Sequence, residues 1–163
     1  MKTKSLFTDL EWNLLQMGVL WVFQGIAMAD GIIEPREINA IENLSKNAHK
    51  FHNELAKDVF GSIDFNREEF ANIYNLSPRI NVGLHELAIV VNEKLNAEDA
   101  ISFKKYMLAA GLYVVISSRN EDNGINVGNL ESKALNNLAK ILLISPVDLA
   151  RQPKLNDIIR ELE

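Results

Sequence analysis

Apolar residues recur at steps of three and four along almost the whole chain, which is the spacing of amphipathic helices. Thr8 followed by Glu11 has the pattern of a capping box, and the charge-free segment 13–29 after it predicts a helix buried on most sides. No segment alternates apolar and polar residues convincingly as a half-buried strand does. Tyr113–Ile116 has strand-like composition, but its place in a long uncharged run after a good cap favours helix.

Glycines, prolines and capping residues divide this pattern into successive helices. We therefore predict an all-α fold: a compact helical bundle of about seven to eight helices, forming a single domain over residues 1–163. The predicted elements are a helix from Thr8 to Asp30, a helix from Pro35 through Val59, a short helix over Asn66–Tyr74, a helix over Leu84–Leu95, a helix from Asn96 to Ser118, a helix over Leu130–Leu142, and terminal helical segments beginning at Ser145 and near Leu155.

An internal repeat relates the two ends of this pattern. In the first half a charge-free helix precedes Asp30-Gly31-Ile32 and Glu37, and in the second half a charge-free helix precedes Asn123-Gly124-Ile125 and Glu131. Apolar residues follow both glutamates at the same offsets. We predict two pseudo-repeated helical hairpins, over about residues 8–60 and 97–144, each with an amphipathic helix covering an uncharged one, and a C-terminal helical tail at 145–163.

Composition excludes several classes of function. The 163 residues include no cysteine, which rules out disulfides, thiol nucleophiles and iron–sulfur clusters. The formal net charge of -5 opposes phosphate binding, so no nucleic-acid partner is expected. Segment 13–29 is short for a bilayer crossing and contains Asn13, Gln16 and Gln24, so we predict a buried core helix and no transmembrane segment. We expect a cytoplasmic protein; peripheral membrane association and oligomeric state stay open.

Acidic residues cluster at the first predicted turn. Asp30, Glu34 and Glu37 lie within eight residues around Gly31, and such a loop can direct several carboxylate oxygens at a hard divalent cation. The spacing does not fit an EF-hand, because apolar residues would occupy its first two ligand positions. The pattern therefore leaves open a looser carboxylate site.

The alternative interpretation is that these acids only begin a helix. Glu37 can accept a hydrogen bond from an N-terminal N–H three residues earlier, and its charge complements the helix dipole. The second turn offers Asp122 and Glu131 for a weaker counterpart of the cation site.

Other residues raise three further kinds of chemistry. His49 and His52 lie three apart on a predicted helix and His85 adjoins an acid, but no third zinc ligand follows from the spacing, and exposed histidines are expected. Trp21 and Tyr113 are candidates to line an interhelical apolar pocket for a planar aromatic ligand. An unrecognised carboxylate–histidine hydrolase is a third hypothesis, and it ranks last because nothing in the sequence has the spacing of a known nucleophile motif.

The segment Ala27–Ile32 followed by Glu37, together with Asn123–Ile125 and Glu131, resembles the TerB-like family associated with tellurite resistance. The resemblance covers most of the chain. It implies a compact all-helical domain of two related halves, a role in stress response, and metal-ion binding or protein interaction, including interaction with a partner in a stress complex.

Carried onto this sequence, the resemblance implies Asp30, Glu34 and Glu37 as metal ligands, with Asp122 and Glu131 as a second, less complete set. Asn123 stands where the first turn has Asp30, which removes a charge from the second set. We expect a non-enzymatic TerB-like stress-response domain. It would act by binding a divalent cation (Ca, Mg, Mn or Zn), by protein–protein interaction, or by both.

Overall fold

The structure is a computed structural model that describes residues 2–30, 33–66, 78–117 and 129–163. Every regular element in these ranges is helical, which confirms the all-α prediction. Short 3-10 turns occur at Lys4–Leu6, Met28–Asp30 and Ala48–Lys50. The eight α-helices of the described residues are α1 (Asp9–Ala27), α2 (Pro35–Lys46), α3 (Glu54–Gly61), α4 (Ile80–Lys94), α5 (Ala97–Ser117), α6 (Asn129–Ile141), α7 (Pro146–Ala150) and α8 (Leu155–Leu162).

Capping side chains begin three of these helices at the predicted positions. The Thr8 hydroxyl accepts a hydrogen bond from the Glu11 N–H, and the Glu11 carboxylate accepts one from the Thr8 N–H, at 3.1 and 2.8 Å. Asn96 accepts a bond from the Asp99 N–H at 2.8 Å, and Ser145 begins α7 in the same way. These bonds satisfy N–H groups that have no partner within the helix.

Helices α1 and α5 form the centre of the bundle and pack against each other more extensively than any other described pair. Helix α4 covers α1, and α8 covers α5. Helix α2 packs chiefly against α5, whereas α6 packs more against α1 than against α5. In the predicted hairpins α2 would cover α1 and α6 would cover α5, whereas in the structure α2 packs chiefly on α5 and α6 chiefly on α1. The duplication itself stays a prediction.

The prediction of one helix from Pro35 through Val59 is wrong. Helix α2 ends at Lys46, a 3-10 turn follows, and Phe51 has extended backbone before Asn53 caps α3 by accepting the Ala56 N–H at 2.8 Å. The Phe51 ring lies 5.2 Å from the rings of both Phe60 and Tyr106, so the break buries an aromatic side chain that a continuous helix would have to place elsewhere. The helix predicted over Asn66–Tyr74 lies outside the described residues after residue 66.

Among the described helices, α5 is long and apolar enough to span a membrane. Core helices of soluble proteins pass the same test, and 72% of the apolar window of α5 is buried in the bundle. Segment 13–29, the most membrane-like segment of the sequence, lies mostly in α1. Most of its apolar side chains also lie in the core.

Two glycines allow α1 and α4 to approach closely. The Trp21 ring of α1 lies against Gly83 of α4, where an added Cβ would be only 2.3 Å from the nearest ring atom. At the same interface, a Cβ at Gly18 of α1 would be 2.2 Å from a methyl of Leu87 of α4. The packing of α4 on α1 therefore requires the absence of a side chain at both positions.

We expect Gly83→Ala to destabilise the protein by about 1–3 kcal/mol, since the new methyl must displace the buried Trp21 ring. The matched control is Gly61→Ala, because the nearest atom to a Cβ at Gly61 is 3.8 Å away. That control should be neutral or stabilising by up to about 1 kcal/mol, from the higher helix propensity of alanine. Thermal and urea unfolding measure both variants; equal stability of the two would contradict the close packing of α4 on α1.

Two consecutive lysines, Lys104 and Lys105, are almost completely buried in α5, at 1% and 2% exposure. The Lys104 ammonium donates a hydrogen bond to the Asn92 side-chain oxygen of α4 at 3.1 Å. Burial lowers the pKa of Lys104 below its ordinary value of 10.5, and the charge of Asp148 opposes this shift. The folded state thus holds this proton less tightly than the unfolded chain does.

Lys104→Met should stabilise the protein at neutral pH by about 1 kcal/mol or more, because it replaces a buried charge by an apolar chain of similar length. Between the lowered pKa and 10.5 the unfolded chain binds more protons at residue 104, so this lysine makes stability rise with pH in that interval. The variant should therefore gain most at pH 7 and less at about pH 9.5. Urea unfolding at both pH values measures the difference in unfolding free energy between Lys104→Met and the wild type. A difference that grows from pH 7 to pH 9.5 would contradict the lowered pKa of Lys104.

Candidate functional site: an acidic cleft beside the C-terminal helix

A cavity of about 530 Å³ opens between the N-terminal segment, the bend before α3, the first half of α5, and α8. We call it the acidic cleft, because four carboxylate side chains line it and none of the described residues that line it is a lysine or an arginine. Those carboxylates belong to Glu54, Asp99, Asp157 and Glu161. The other lining residues are Thr3, Leu6, His52, Asn53, Leu55, Leu95, Ser102, Tyr106, Pro153 and Ile158.

Glu161 of α8 ties three parts of the chain together at the wall of the cleft. One of its carboxylate oxygens accepts hydrogen bonds from the Tyr106 hydroxyl of α5 and from the His52 backbone N–H, the latter at 2.8 Å. The imidazole Nδ1 of His52 lies 3.2 Å from the same oxygen. Burial, reinforced by Glu161, raises the pKa of Tyr106 above its ordinary value of 10.0, so the phenol remains a donor at neutral pH.

Lys105 holds the segment that leads into α8. Its ammonium donates hydrogen bonds to the backbone carbonyls of Arg151 and Pro153, at 2.9 and 3.2 Å. Burial lowers the pKa of Lys105 and is the largest influence on it. At the start of α8, the Asp157 carboxylate accepts the Lys154 N–H at 3.0 Å. The two carboxylates that α8 contributes to the cleft are thus positioned from both ends of that helix.

The electrostatics of the cleft suit a cationic group. Asp99 and Glu54 face it from α5 and α3, and Asp157 and Glu161 face it from α8. Carboxylates focused in a concave site attract ammonium or guanidinium groups, whereas an anion would be repelled. In the described part of the chain, no three His, Asp or Glu side chains come together in a way that would hold a metal ion.

The first predicted cation site is described only in part. The Glu37 carboxylate accepts the Glu34 N–H at 2.9 Å and is 6% exposed, which confirms the helix-start interpretation for Glu37. The Glu34 carboxylate pairs with Arg36 on the surface. The backbone of Asp30 ends a 3-10 turn, and its side chain lies outside the described part of the structure. Glu34 and Glu37 are therefore brought together at the start of α2, and the metal site stays a prediction.

The second predicted cation site cannot be assembled from the described residues. Asp122 lies outside them, and so does the side chain of Glu131, whose backbone is in the first turn of α6. Helix α6 packs against the 3-10 turn Met28–Asp30.

The aromatic pair predicted for a planar ligand is divided between two environments. Trp21 is 5% exposed and packs against Gly83 in the core. Tyr113 is half-buried and lines a second cavity of about 330 Å³, beside the end of α8, to which Glu161 also contributes. Trp21 lines neither this cavity nor the acidic cleft. Of the two aromatic residues predicted to line a planar-ligand pocket, only Tyr113 lines either of these cavities.

The histidines are exposed, as expected, but the helix predicted to carry His49 and His52 is interrupted there. His49 lies in the 3-10 turn and His52 in the bend before α3, with its side chain 83% exposed. His85 is exposed on α4. A carboxylate–histidine pair does occur, between Glu161 and His52, although the spacing of residues 52 and 161 along the chain contains no signal of it.

Comparisons of the chain with models of protein families, with curated proteins and with solved structures return no match. The resemblance to TerB-like proteins therefore rests on the residues quoted for it, and the acidic cleft rests on its own geometry.

Glu161→Ala should cost about 2 kcal/mol of stability, since it removes an acceptor shared by Tyr106 and the His52 N–H. The corresponding fall in Tm is roughly 4–8 °C for a chain of this size. Glu163→Ala, two residues further on at the exposed end of the chain, should change Tm by less than about 1 °C. Calorimetry compares the two variants; similar Tm values would mean that the Glu161 contacts do not hold α8.

Proposed function

We propose that the protein is a non-enzymatic binding domain whose acidic cleft receives a lysine or arginine side chain of a partner protein. The observation that supports this most directly is the set of four carboxylates around one cavity of about 530 Å³, with no lysine or arginine among the described residues that line it. Apolar side chains such as Leu55 and Ile158 in the same cleft suit the aliphatic part of a lysine or arginine.

Two of the carboxylates already have surface partners that an incoming cation can replace. Lys57 lies 3.3 Å from Glu54, and Arg160 lies 3.7 Å from Asp157, both three residues away along a helix. Such exposed pairs contribute little to stability because water and salt screen them. The net charge of -5 adds long-range attraction for a basic partner.

The cellular role that we propose, stress response in the cytoplasm, comes from the resemblance to TerB-like proteins alone. On that resemblance, a divalent cation at Asp30, Glu34 and Glu37 is a second mode of action. The contact between Glu37 and the Glu34 N–H does not preclude it, since a carboxylate has a second oxygen.

Hydrolysis is the alternative favoured by one observation, the His52–Glu161 pair. Two features argue against it. His52 is largely in solvent, whereas catalytic pairs work best where water is excluded. The Glu161 oxygen nearest His52 also serves Tyr106 and the backbone, which is typical of an anchor for α8.

A short peptide in which lysine alternates with alanine should bind the wild-type chain, and its glutamate counterpart should not. The double variant Glu54→Gln/Asp99→Asn should weaken lysine-peptide binding roughly fivefold, from the loss of about 1 kcal/mol of attraction. Glu42→Gln/Glu86→Gln removes the same charge from side chains that do not line the cleft and should change binding less than about twofold. Isothermal titration calorimetry measures each pair.

Equal weakening in the two double variants would mean that only the net charge attracts the peptide, and would remove the cleft from the proposal. Titration of Ca²⁺, Mg²⁺, Mn²⁺ and Zn²⁺ against the wild type and Asp30→Asn/Glu37→Gln separates the cation mode. If the wild type releases or absorbs heat with a divalent cation, the variant does not, and the lysine peptide fails to bind, then the acidic residues Asp30, Glu34 and Glu37 would be favoured as the functional site.

A further inference from the structure

We propose that Lys105 is a positioning residue for the acidic cleft: it holds α8 in place and so sets two of the four carboxylates that receive the cationic group. The inference rests on the proposed function and names the part of the chain on which ligand affinity depends. Lys105 does not line the cleft, so its effect must pass through the segment that it binds.

The connection from Lys105 to the cleft is short. Its ammonium binds the carbonyl of Pro153, and Pro153 itself lines the cleft. One residue later, the Lys154 N–H is capped by the carboxylate of Asp157, which also lines the cleft. Glu161 follows one turn along α8. A displacement of the 151–153 segment would therefore move both carboxylates that α8 contributes.

The segment that leads into α8 is hydrogen-bonded to the bundle at Lys105. Residues 151–154 are exposed, and the buried ammonium of Lys105 links two of their carbonyls to α5. In α8 itself Ile158 and Ile159 are fully buried, whereas Leu155 and Leu162 are only half-buried. Short helices with only two fully buried side chains open locally at a lower free energy than the core does. If docking of α8 raises the affinity of the cleft for its ligand, then bound ligand must raise the equilibrium constant for docking of α8 by the same factor.

The sign of the effect distinguishes positioning from direct electrostatics. Removing the positive charge of Lys105 by itself would make the cleft more negative and would strengthen binding of a cation. Loss of positioning would weaken binding, because Asp157 and Glu161 would no longer face the ligand. Lys104 supplies a matched control, since it is equally buried but binds Asn92 of α4 and not the segment before α8.

The experiment titrates the lysine–alanine peptide into the full-length wild type, Lys105→Met and Lys104→Met, at several salt concentrations. Lys105→Met should weaken binding roughly fivefold and flatten the salt dependence, while Lys104→Met should bind within about twofold of the wild type. Hydrogen exchange should show faster exchange in α8 of Lys105→Met alone, and slower exchange in wild-type α8 when the peptide is bound.

Each outcome bears on one proposal. If the wild type does not bind the peptide, the proposed function fails and the positioning role fails with it. If the wild type binds and Lys105→Met binds as well or better, the cleft stands and the positioning role is overturned. Equal weakening in Lys104→Met also overturns it, because the effect would then come from any buried lysine. Circular dichroism confirms that both variants are folded at the temperature of the titration.

Discussion

The direct packing of α1 on α5 is the constraint on which the rest of the structure depends. Both helices bury most of their surface, and neither can do so unless other helices cover its remaining sides. Helices α4 and α6 cover α1, while α2 and α8 cover α5. The short helix α8 covers only part of α5, and the acidic cleft lies where α8 and α5 meet the bend before α3.

Three consecutive residues of α5 carry the polar interactions of this region. Successive residues of a helix point about 100° apart, so Lys104, Lys105 and Tyr106 reach three different elements. They contact Asn92 of α4, the carbonyls before α8, and Glu161 within α8. A buried charge is costly unless it is hydrogen-bonded, which makes these positions effective at fixing where α4 and α8 lie.

Local signals in the sequence predicted the parts of the fold that local interactions determine. Thr8, Asn96 and Ser145 are capping residues, and their hydrogen bonds involve backbone groups only three residues away. The break between α2 and α3 was missed because apolar spacing continues through it, and only the burial of Phe51 against distant rings favours the extended backbone. Apolar periodicity also shows which face of a helix is buried, but not which helix covers that face. The sequence therefore could not predict that α2 packs on α5 and α6 on α1.

The acidic cleft could not be predicted for a related reason. Its carboxylates come from residues 54, 99, 157 and 161, and Asp99 and Asp157 also have the local pattern of acids in a first helical turn. In the sequence the segment 145–163 is a tail outside the two predicted hairpins, yet α8 supplies half of the cleft's carboxylates. A resemblance carried by the hairpins therefore bears on the bundle and on the loop acids, whereas the cleft depends on how one terminal helix is held. Two proteins with the same packing of α1, α4, α5 and α6 would differ in this site wherever the segments that follow α6 differ.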